Sequence, residues 1–480
     1  MTKETGHDGK EFGANELGPA ISRSRALLPA AVDALCEVIT EVTGKAPSRE
    51  RVEFVDTFWL MHACDREIYG QPESVLNMAV EPDALWPSDR RVRSDVFSVL
   101  GSRNAPVRIA DPYLKTPFSE ELTAAFRARR QMRWQSVVRP RVASWDVLTE
   151  PRLRIARRFS DVDGQGNTLR RAVALLAPLD VLEQHHELTE WAKRAADETT
   201  KVCYSANAHQ ASTSFRHYLY EQKVVGSKIV FHQHGGGNGI DEQHPGEFHD
   251  TLIGDVFYSW GWDRPDLGRR VRPLPTALPA RHVGKPDPRY LLMSLPVTSY
   301  FYRFQPFLVP HHVNTAVNET ESFARCLDAS SELCMRSSGT ATFPMSRLHG
   351  AKATITTDDG REPGAKAASR ASLVVHNYLG TTWLETFAMD IPTVCFFDAS
   401  VFRPRESARP YFELLSRVGV LHHSGADAAR FVNDLKGDPS SWWSKPEVQD
   451  AREKFVARYA NFSENWLPGW MDEFERLLEE

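Results

Sequence analysis

The stretch SRASLVVHNYLGTTWLETFAMDIPTVCFFD, residues 369–398, has the pattern of a strand, a loop, a helix and a second strand. Two short runs rich in Val, Ile and Phe flank a segment whose apolar residues recur at helical spacing. A strand, a crossover helix and a next strand form the unit from which parallel sheets are built. The stretch therefore predicts an α/β fold with a parallel sheet.

The same alternation extends in both directions from this stretch. It begins near residue 170 with the short apolar runs AVALLAPL, VCYSAN and SKIVFHQHGGG, and it restarts after residue 288 with RYLLMSLPV. Between the two series, LGRRVRPLPTALPARHVGKPDP (267–288) is rich in proline and lacks a convincing period. Two α/β units joined by a Pro-rich linker predict two Rossmann-like domains that face a cleft.

This interpretation divides the chain into five segments. We expect a disordered leader (1–20), an N-terminal domain that starts with helices and continues as a Rossmann-like unit (21–266), the linker (267–288), a C-terminal Rossmann-like domain (289–425) and C-terminal helices (426–480). Tryptophan buries a large area, so the four in the last segment are expected to pack in the core: Trp442, Trp443, Trp466 and Trp470.

Composition narrows the class of protein. The 480 residues include 58 Lys and Arg against 63 Asp and Glu, a net charge of −5, so the basic footprint of a dedicated nucleic-acid binder is missing. No run approaches the ~18 apolar residues of a transmembrane helix, and the polar start lacks the apolar core of a secretory signal. The six cysteines are scattered and none forms a CxxC pair, with Cys395 expected in a buried strand. We expect a cytoplasmic protein.

Residues 124–160 are crowded with arginine. The first interpretation is a solvated helix face whose arginine stems cover apolar surface. The alternative is peripheral contact with the anionic inner membrane face.

The run KIVFHQHGGGNG is a short strand that ends in two histidines and a glycine loop. His232, His234 and the glycines from Gly235 to Gly239 thus lie where the carboxyl end of a strand opens onto a crevice, and ligands bind there in open α/β sheets. Glycines permit positive φ and let backbone N–H groups approach an anion.

Histidines and carboxylates are dense in and after this loop, and three interpretations stay open. A metal site would use His232, His234, His244, His249 and Asp250. An acid/base site would use one histidine beside a carboxylate to remove a proton from an acceptor hydroxyl, with His234 or Asp255 as the base. Local turns could also satisfy the histidines. Because no HExxH-like spacing appears, we favour the acid/base site.

A second group of polar residues follows the strand in 369–398. Gly380 gives the turn, and Thr381 or Thr382 starts the next helix. Thr382 and Glu385 match the S/T-x-x-E spacing of a capping box. Alternatively, the free N–H groups and threonine hydroxyls receive a diphosphate, and Glu385 accepts hydrogen bonds from ribose hydroxyls.

Further polar residues follow neighbouring strands. His376 and Asn377 close the strand before Gly380 and are expected to point into the same crevice. Arg336 ends an earlier strand, and Arg409 follows the strand IPTVCFF. Either arginine could neutralise a phosphate.

Together these motifs resemble a known family. YLGTTWLETFAMDIPTVCFFD, then RPRESARPYFELLSRVGVLH, with FHQHGGGNG and IGDVFYSWGW upstream, are similar to bacterial transferases of surface-carbohydrate (O-antigen or capsule) biosynthesis with a GT-B glycosyltransferase-like build. The resemblance covers residues 200–480. It implies an acceptor-side N-terminal domain and a nucleotide-sugar donor held by the C-terminal domain without a required metal.

The resemblance also implies roles for individual residues. Gly235, Gly236 and Gly237 would face the reacting centre, and Arg336 would lie near the phosphates. The donor nucleotide would be held by Thr381, Thr382 and Glu385. The chain departs from the family pattern with Tyr378-Leu379-Gly380 before Thr381, which leaves the donor sugar and nucleotide base open.

The leading hypothesis is a metal-independent, inverting glycosyltransferase without a cofactor. Its substrates would be a nucleotide sugar and a glycan, lipid-linked glycan or other hydroxyl acceptor, and nucleic acid is not expected as a partner. One alternative is a metal-dependent hydrolase that uses His232, His234 and His244. Another is a module that binds nucleotide sugars without turnover.

Overall fold

The computed structural model describes residues 14–69, 106–114, 118–129, 132–134, 148–159, 165–242, 244–279, 281, 287–295, 307, 310–337, 343–358 and 360–480. Within these residues two separate parallel sheets form, each of six strands, and a two-stranded ladder pairs Thr276–Ala277 with Phe462–Ser463. The predicted α/β class with two Rossmann-like units is therefore confirmed.

The first sheet has the spatial order β2-β1-β3-β4-β5-β6. Its strands are β1 (Val107–Ala110), β2 (Met132–Trp134), β3 (Val202–Ser205), β4 (Lys228–His232), β5 (Val256–Ser259) and β6 (Val271–Pro273). The strand order reverses between β1 and β3. Crevices at such a reversal are the usual ligand sites of doubly wound sheets.

The second sheet has the order β10-β9-β8-β11-β12-β13, which is the Rossmann arrangement. Its strands are β8 (Asp287–Ser294), β9 (Glu332–Ser337), β10 (Thr354–Thr357), β11 (Ala371–His376), β12 (Thr393–Phe396) and β13 (Leu421–His422), while β7 (Thr276–Ala277) pairs with β14 (Phe462–Ser463). Here the order reverses between β8 and β11, so the segment after β11 borders this crevice.

Helices cover both sheets. In chain order they are α1 (Ala14–Ala26), α2 (Leu28–Thr43), α3 (Arg49–Tyr69), α4 (Phe118–Arg129), α5 (Thr149–Arg158), α6 (Gln165–Leu176), α7 (His185–Ala195), α8 (Ala208–Ala211), α9 (Thr213–Val224), α10 (Pro245–Ile253), α11 (Pro310–Cys326), α12 (Gly364–Ala368), α13 (Thr381–Ala388), α14 (Arg409–Arg417), α15 (Gly425–Asp434), α16 (Pro439–Trp443), α17 (Pro446–Tyr459) and α18 (Leu467–Glu479), with 3-10 turns at Pro265–Arg270 and Met345–Leu348. None of these helices is long and apolar enough to cross a membrane.

The N-terminal helices form a layer with a core of their own. Apolar residues at helical spacing in α2, such as Leu35 and Ile39, pack with residues of α3, α5 and α6. This layer rests on α9 of the first sheet through a buried ion pair between Arg51 and Glu221. Helical spacing thus predicted this layer correctly, because one stripe of each helix is apolar.

The end of the chain returns to the first domain. Trp470 and Phe474 of α18 pack on Tyr204 of β3 with ring centroids 5.6 and 5.4 Å apart. The four C-terminal tryptophans are all buried, which confirms their predicted packing role. Cys395 is likewise buried in β12, as predicted.

Four predictions of local structure need correction. The run AVALLAPL is not a strand but the end of α6 and the turn after it. The predicted leader overlaps α1, which begins at Ala14, while residues 1–13 lie outside the described residues. The first sheet starts with β1 and β2, well before residue 170. The proposed linker contains β6 and β7. These strands have three and two residues, which are too few to show a period in the sequence.

The arginine-rich segment is described only in part, since residues 130–131, 135–147 and 160 lie outside the described residues. Within the described part, Arg152 is buried rather than solvated. It pairs with Glu183 and donates to the carbonyl oxygen of Ala177 at 2.6 Å. This arginine therefore ties α5 to the turn before α7.

Candidate active site

The carboxyl ends of the two sheets meet at a close contact between backbones. The glycine loop (residues 233–242) follows β4, and its Gly236 lies against the start of α13 in the second domain. A Cβ atom at Gly236 would overlap the carbonyl group of Gly380 and lie 3.1 Å from the Cα of Thr381. Only glycine permits this approach. The structure thus brings together Gly236, Gly380 and Thr381.

Most glycines of this loop have ordinary backbone angles. Within the run from Gly235 to Gly239, positive φ occurs only at Gly239 (75°). A Cβ at Gly237 would meet the Asp241 carboxylate and the His244 ring, whereas the nearest atom to a Cβ at Gly235 is 3.9 Å away. Close packing, rather than positive φ, explains the glycines at 236 and 237.

An ion pair fastens the glycine loop to the second domain. Arg405 precedes α14, and its two Nη atoms donate to the Glu247 carboxylate of α10 at 3.0 and 2.7 Å. The backbone N–H of Arg405 donates to Ile240, and Asp241 forms a β-bridge with Pro404. Burial opposes ionisation of Glu247, yet Arg405 holds the pKa of this carboxyl below its usual range. We call this set of contacts the interdomain seam.

Asp241 also belongs to the interdomain seam, but its pKa is shifted in the opposite direction from that of Glu247. Burial raises its pKa to about 8, with Arg405 opposing and Glu247 reinforcing the shift. The Arg405 Nε atom donates to the backbone carbonyl oxygen of Asp241 rather than to its carboxylate. The Asp241 side chain is therefore protonated at neutral pH.

His234 lies just beyond β4 and is half-buried. Its ring meets the ring of Tyr113 edge-on at 5.5 Å. Tyr113 and Asp111 follow β1, are exposed, and have positive φ angles of 56° and 44°, which are rare for residues other than glycine. An exposed aromatic side chain on a strained backbone segment thus borders the predicted base at the crevice of the first sheet.

Asp255, the other predicted base, lies at the opposite edge of the sheet. It precedes β5, its backbone N–H donates to Ile229 near the start of β4, and its carboxylate accepts from Lys223 at 2.9 Å. Because the strands of this sheet are parallel, Asp255 lies at the edge formed by the amino ends of the strands. The prediction that Asp255 serves the same site as His234 is wrong, because the residue before a strand lies a full strand length from the residues after it.

The first turn of α13 has no side-chain cap. Gly380 is the N-cap residue, and Thr381 and Thr382 are the first two helical residues, both half-buried. The capping-box interpretation of Thr382 with Glu385 is wrong, because the N-cap residue is Gly380 and Thr382 lies two residues inside the helix. The diphosphate interpretation requires the N–H groups of this turn to be without such a cap.

Arg409 is the first residue of α14. Phe412, one turn later, contacts Trp383 of the first turn of α13 at a ring distance of 6.0 Å. Arg409 forms no ion pair with any residue that the structure describes, and its buried Nε atom lacks a hydrogen-bond partner there. Glu385 is buried in the second turn of α13. Burial, reinforced by the charge of Glu385, raises the pKa of Tyr378 to about 12.

Three other predicted donor residues are engaged within the protein. The Arg336 guanidinium binds Asp358 at 2.6 Å and the carbonyl oxygen of Glu362. His376 is buried beside Thr386, and burial lowers its pKa to about 3.

Asn377 uses both ends of its amide in the same way. Its Oδ1 atom accepts from the backbone N–H of Leu295 and its Nδ2 atom donates to Thr320, each at 2.7 Å. Leu295 and Thr320 are far from Asn377 in the sequence, so the spacing of residues could not predict these contacts. These contacts engage polar groups of Arg336, His376 and Asn377 within the protein, and their predicted contacts with a donor stay predictions.

The histidines of the proposed metal-dependent hydrolase are not brought together. His232 contacts the Tyr204 hydroxyl at 2.8 Å on the face covered by α18. His244 caps α10 by accepting from the backbone N–H of Glu247. Two residues of the wider predicted metal set, His249 and Asp250, do lie together. With His209, which the sequence did not single out, they offer ligand atoms that all lie within 4.8 Å of one another.

Sequence reasoning missed several residues of this region. Tyr113 and Asp111 stand out only through their backbone angles, which no sequence pattern revealed. Asp241 and the pairing of Arg405 with Glu247 depend on the contact between domains. A signal for that contact did exist, since consecutive glycines can indicate a close backbone approach.

The chain is similar to one protein family and to solved structures of two transferases. A family model described as LIC12162 family transferase matches residues 95–474. No curated protein matches the chain. Among solved structures, a mutant O-GlcNAc transferase of Thermobaculum terrenum is 13% identical, with a TM-score of 0.40 over 96% of this chain and 93% of that one. A spinosyn rhamnosyltransferase complexed with spinosyn aglycone is 13% identical, with a TM-score of 0.35 over 78% and 100%.

Proposed function

Because the chain belongs to the LIC12162 family of transferases, we propose that it transfers a glycosyl group from a nucleotide sugar to a hydroxyl acceptor. One observation carries the proposal: the glycine loop touches the uncapped start of α13. His234 lies two residues before Gly236, so a candidate base and a candidate phosphate site border one cleft.

The donor side is the first turn of α13 together with Arg409. Free N–H groups at a helix start and the helix dipole attract a diphosphate. Arg409 stands one helical turn before Phe412, whose ring contacts Trp383 of this turn, and it adds a positive charge that no described residue neutralises. Glu385 in the next turn accepts hydrogen bonds from the ribose. These groups supply the charge that a metal ion supplies in other transferases, so the reaction needs no metal.

On the acceptor side, His234 takes the proton of the acceptor hydroxyl as its oxygen attacks the anomeric carbon. The bond from that carbon to the nucleotide phosphate breaks, and the diphosphate leaves with the bonding pair. A single displacement of this kind inverts the configuration at the anomeric carbon. Tyr113 borders His234 and forms one wall for the acceptor.

The seam between the domains keeps water from the donor. Arg405 and Glu247 hold the glycine loop against the second domain, and exclusion of water suppresses hydrolysis of the nucleotide sugar. The proposal extends to bacterial surface-polysaccharide biosynthesis, with a glycan or lipid-linked glycan as the acceptor, at the cytoplasmic face of the inner membrane.

The first test is a thermal-shift screen against nucleotides and nucleotide sugars without added divalent cation. A ligand that binds only the folded chain raises Tm. We expect a rise with one nucleoside diphosphate and its sugar. Arg409→Ala should weaken this binding about 10-fold or more, since hydrogen bonds to charged groups are the stronger ones. The control Arg417→Ala removes an exposed arginine from the other end of α14 and should leave binding unchanged.

Turnover is then measured with the bound sugar, as transfer or slow hydrolysis. No shift with any nucleotide at millimolar concentration would overturn the proposal. Binding without any turnover would support the nucleotide-sugar binding module instead.

A further inference from the structure

A buried cluster of metal-ligating side chains lies behind the glycine loop. His209 of α8 and His249 and Asp250 of α10 are each at most 1% exposed. The Asp250 Oδ1 atom is 2.8 Å from His209 Nε2 and 3.1 Å from His249 Nδ1. Neither α8 nor α10 contributes a residue to the donor site proposed above.

These spacings suit a small divalent cation. Bonds of about 2.0–2.1 Å in a tetrahedral zinc site put neighbouring ligand atoms about 3.3 Å apart. The cluster already has two ligand pairs near that separation, and all three atoms fall within 4.8 Å of one another. Two imidazoles and one carboxylate also hold zinc in sites whose fourth position is taken by water.

Residues around the cluster hold its side chains in place. The His209 Nδ1 atom lies 3.4 Å from the Ser205 hydroxyl, so the Nε2 atom is the one directed at Asp250. The Gln210 amide lies 3.2 and 3.3 Å from the two carboxylate oxygens. Metal sites characteristically have such supporting hydrogen bonds around the ligands.

The competing account is a hydrogen-bonded network without an ion. It leaves Asp250 as a buried carboxylate whose ionic partners are histidines alone within the described part of the chain, with no lysine or arginine paired to it. Burying a charge without a compensating charge is costly. A divalent cation supplies the compensating charge, whereas the account without an ion removes the cost only by protonation of the carboxyl.

We propose that His209, His249 and Asp250 bind one zinc ion that fixes α8 to α10. The fourth position falls to a water molecule, because the Gln210 amide nitrogen donates to the Asp250 carboxylate. The ion lies within the first domain and is structural. The inference is independent of the proposed glycosyl transfer, since neither the donor site nor His234 belongs to the ligand set.

The test is the metal content of the full-length protein purified from zinc-supplemented medium, measured by plasma mass spectrometry. We expect about one zinc per chain, and a lower Tm after the metal is removed with 1,10-phenanthroline, because an ion bound only by the folded state stabilises it. Added zinc should restore the Tm.

Variants then locate the ion. His209→Gln and His249→Gln should each lose the zinc. The matched control is His217→Gln, which replaces an equally buried histidine outside the cluster and should keep it. If the variants fail to fold, the cobalt-substituted wild-type protein should show the visible absorption of a tetrahedral site.

The proposal is overturned if the wild-type protein holds and takes up no zinc. It is also overturned if the control loses as much zinc as the two variants, since the ion then lies elsewhere.

Discussion

The two sides of the cleft differ in how their polar groups are satisfied. On the first-domain side, the glycine loop and α10 are tied by the Arg405–Glu247 ion pair, a β-bridge and several backbone hydrogen bonds. On the second-domain side, the first turn of α13 has no side-chain cap, and Arg409 at the start of α14 has no ion pair within the described residues. Paired groups fix geometry, whereas unpaired groups attract a ligand. The difference indicates a preformed wall facing an anion-receptive surface.

The largest effect is expected from replacing His234, the candidate base on the first-domain side of the cleft. His234→Ala should lower the rate of transfer about 1,000-fold, the typical contribution of general base catalysis, while the thermal shift with the donor nucleotide stays. The measurement is kcat with the donor found in the screen. Equal loss of donor binding would mean that His234 belongs to the anion-receptive side, and the contrast between the two sides would fail.

The next test breaks the seam. Arg405→Met should cost about 3 kcal/mol in free energy of unfolding, because it leaves the buried Glu247 carboxylate without its main partner. The control is Arg264→Met, which removes one bond to Glu247 from a more exposed arginine. Urea denaturation compares the two. If both variants lose the same stability, the seam contributes nothing beyond a local ion pair.

A smaller effect is expected where the two sides touch. Gly236→Ala places a methyl group against the Gly380 carbonyl and should weaken donor binding by about 1–2 kcal/mol as the backbones separate. Gly235→Ala has room for its methyl group and serves as the matched control. Calorimetric titration with the donor nucleotide measures both. Unchanged affinity in Gly236→Ala would show that the contact is not needed for binding.

The smallest effect concerns the one carboxyl of the seam that is not ionised at neutral pH. Burial raises the pKa of Asp241 to about 8, against the opposing charge of Arg405 and with the reinforcing charge of Glu247, and the His244 ring lies beside it. Between about pH 4 and pH 8 the unfolded chain releases this proton and the folded chain keeps it, so stability falls as pH rises.

Asp241→Asn removes this dependence. The variant should match the wild type near pH 4 and exceed its Tm by a few degrees near pH 8, as followed by circular dichroism. A variant that is less stable at pH 8 would show that the carboxylate is ionised and paired in the seam.

The sequence predicted the second domain better than the first, for a physical reason. Strands β8, β9, β11 and β12 are apolar runs of ordinary length, and each is separated by a helix or turn with its own signal. In the first sheet, β2 and β6 have three residues each, too few to show a period. The run AVALLAPL, at the end of α6 and in the turn after it, contains no polar residue, so it looked like a buried strand.

The candidate site was predictable where chemistry follows from position along the chain. His234 and the residues from Gly380 to Thr382 come directly after strands, and parallel strands bring such residues to one edge. Asn377 and Arg336 share that position, but Thr320 and Asp358 engage them. Pairing of this kind depends on distant segments, so spacing alone cannot separate a free side chain from an occupied one.

The return of α18 to the first sheet also sets the order in which the protein can be completed during synthesis. Tyr204 and Val230 are covered by Trp470, Phe474 and Leu477. A ribosome that adds about 10 residues per second needs roughly 20 s to proceed from β7 to α18. Throughout that time the N-terminal domain presents an open apolar face, so it is the part of the nascent chain that most needs a chaperone, although it is made first.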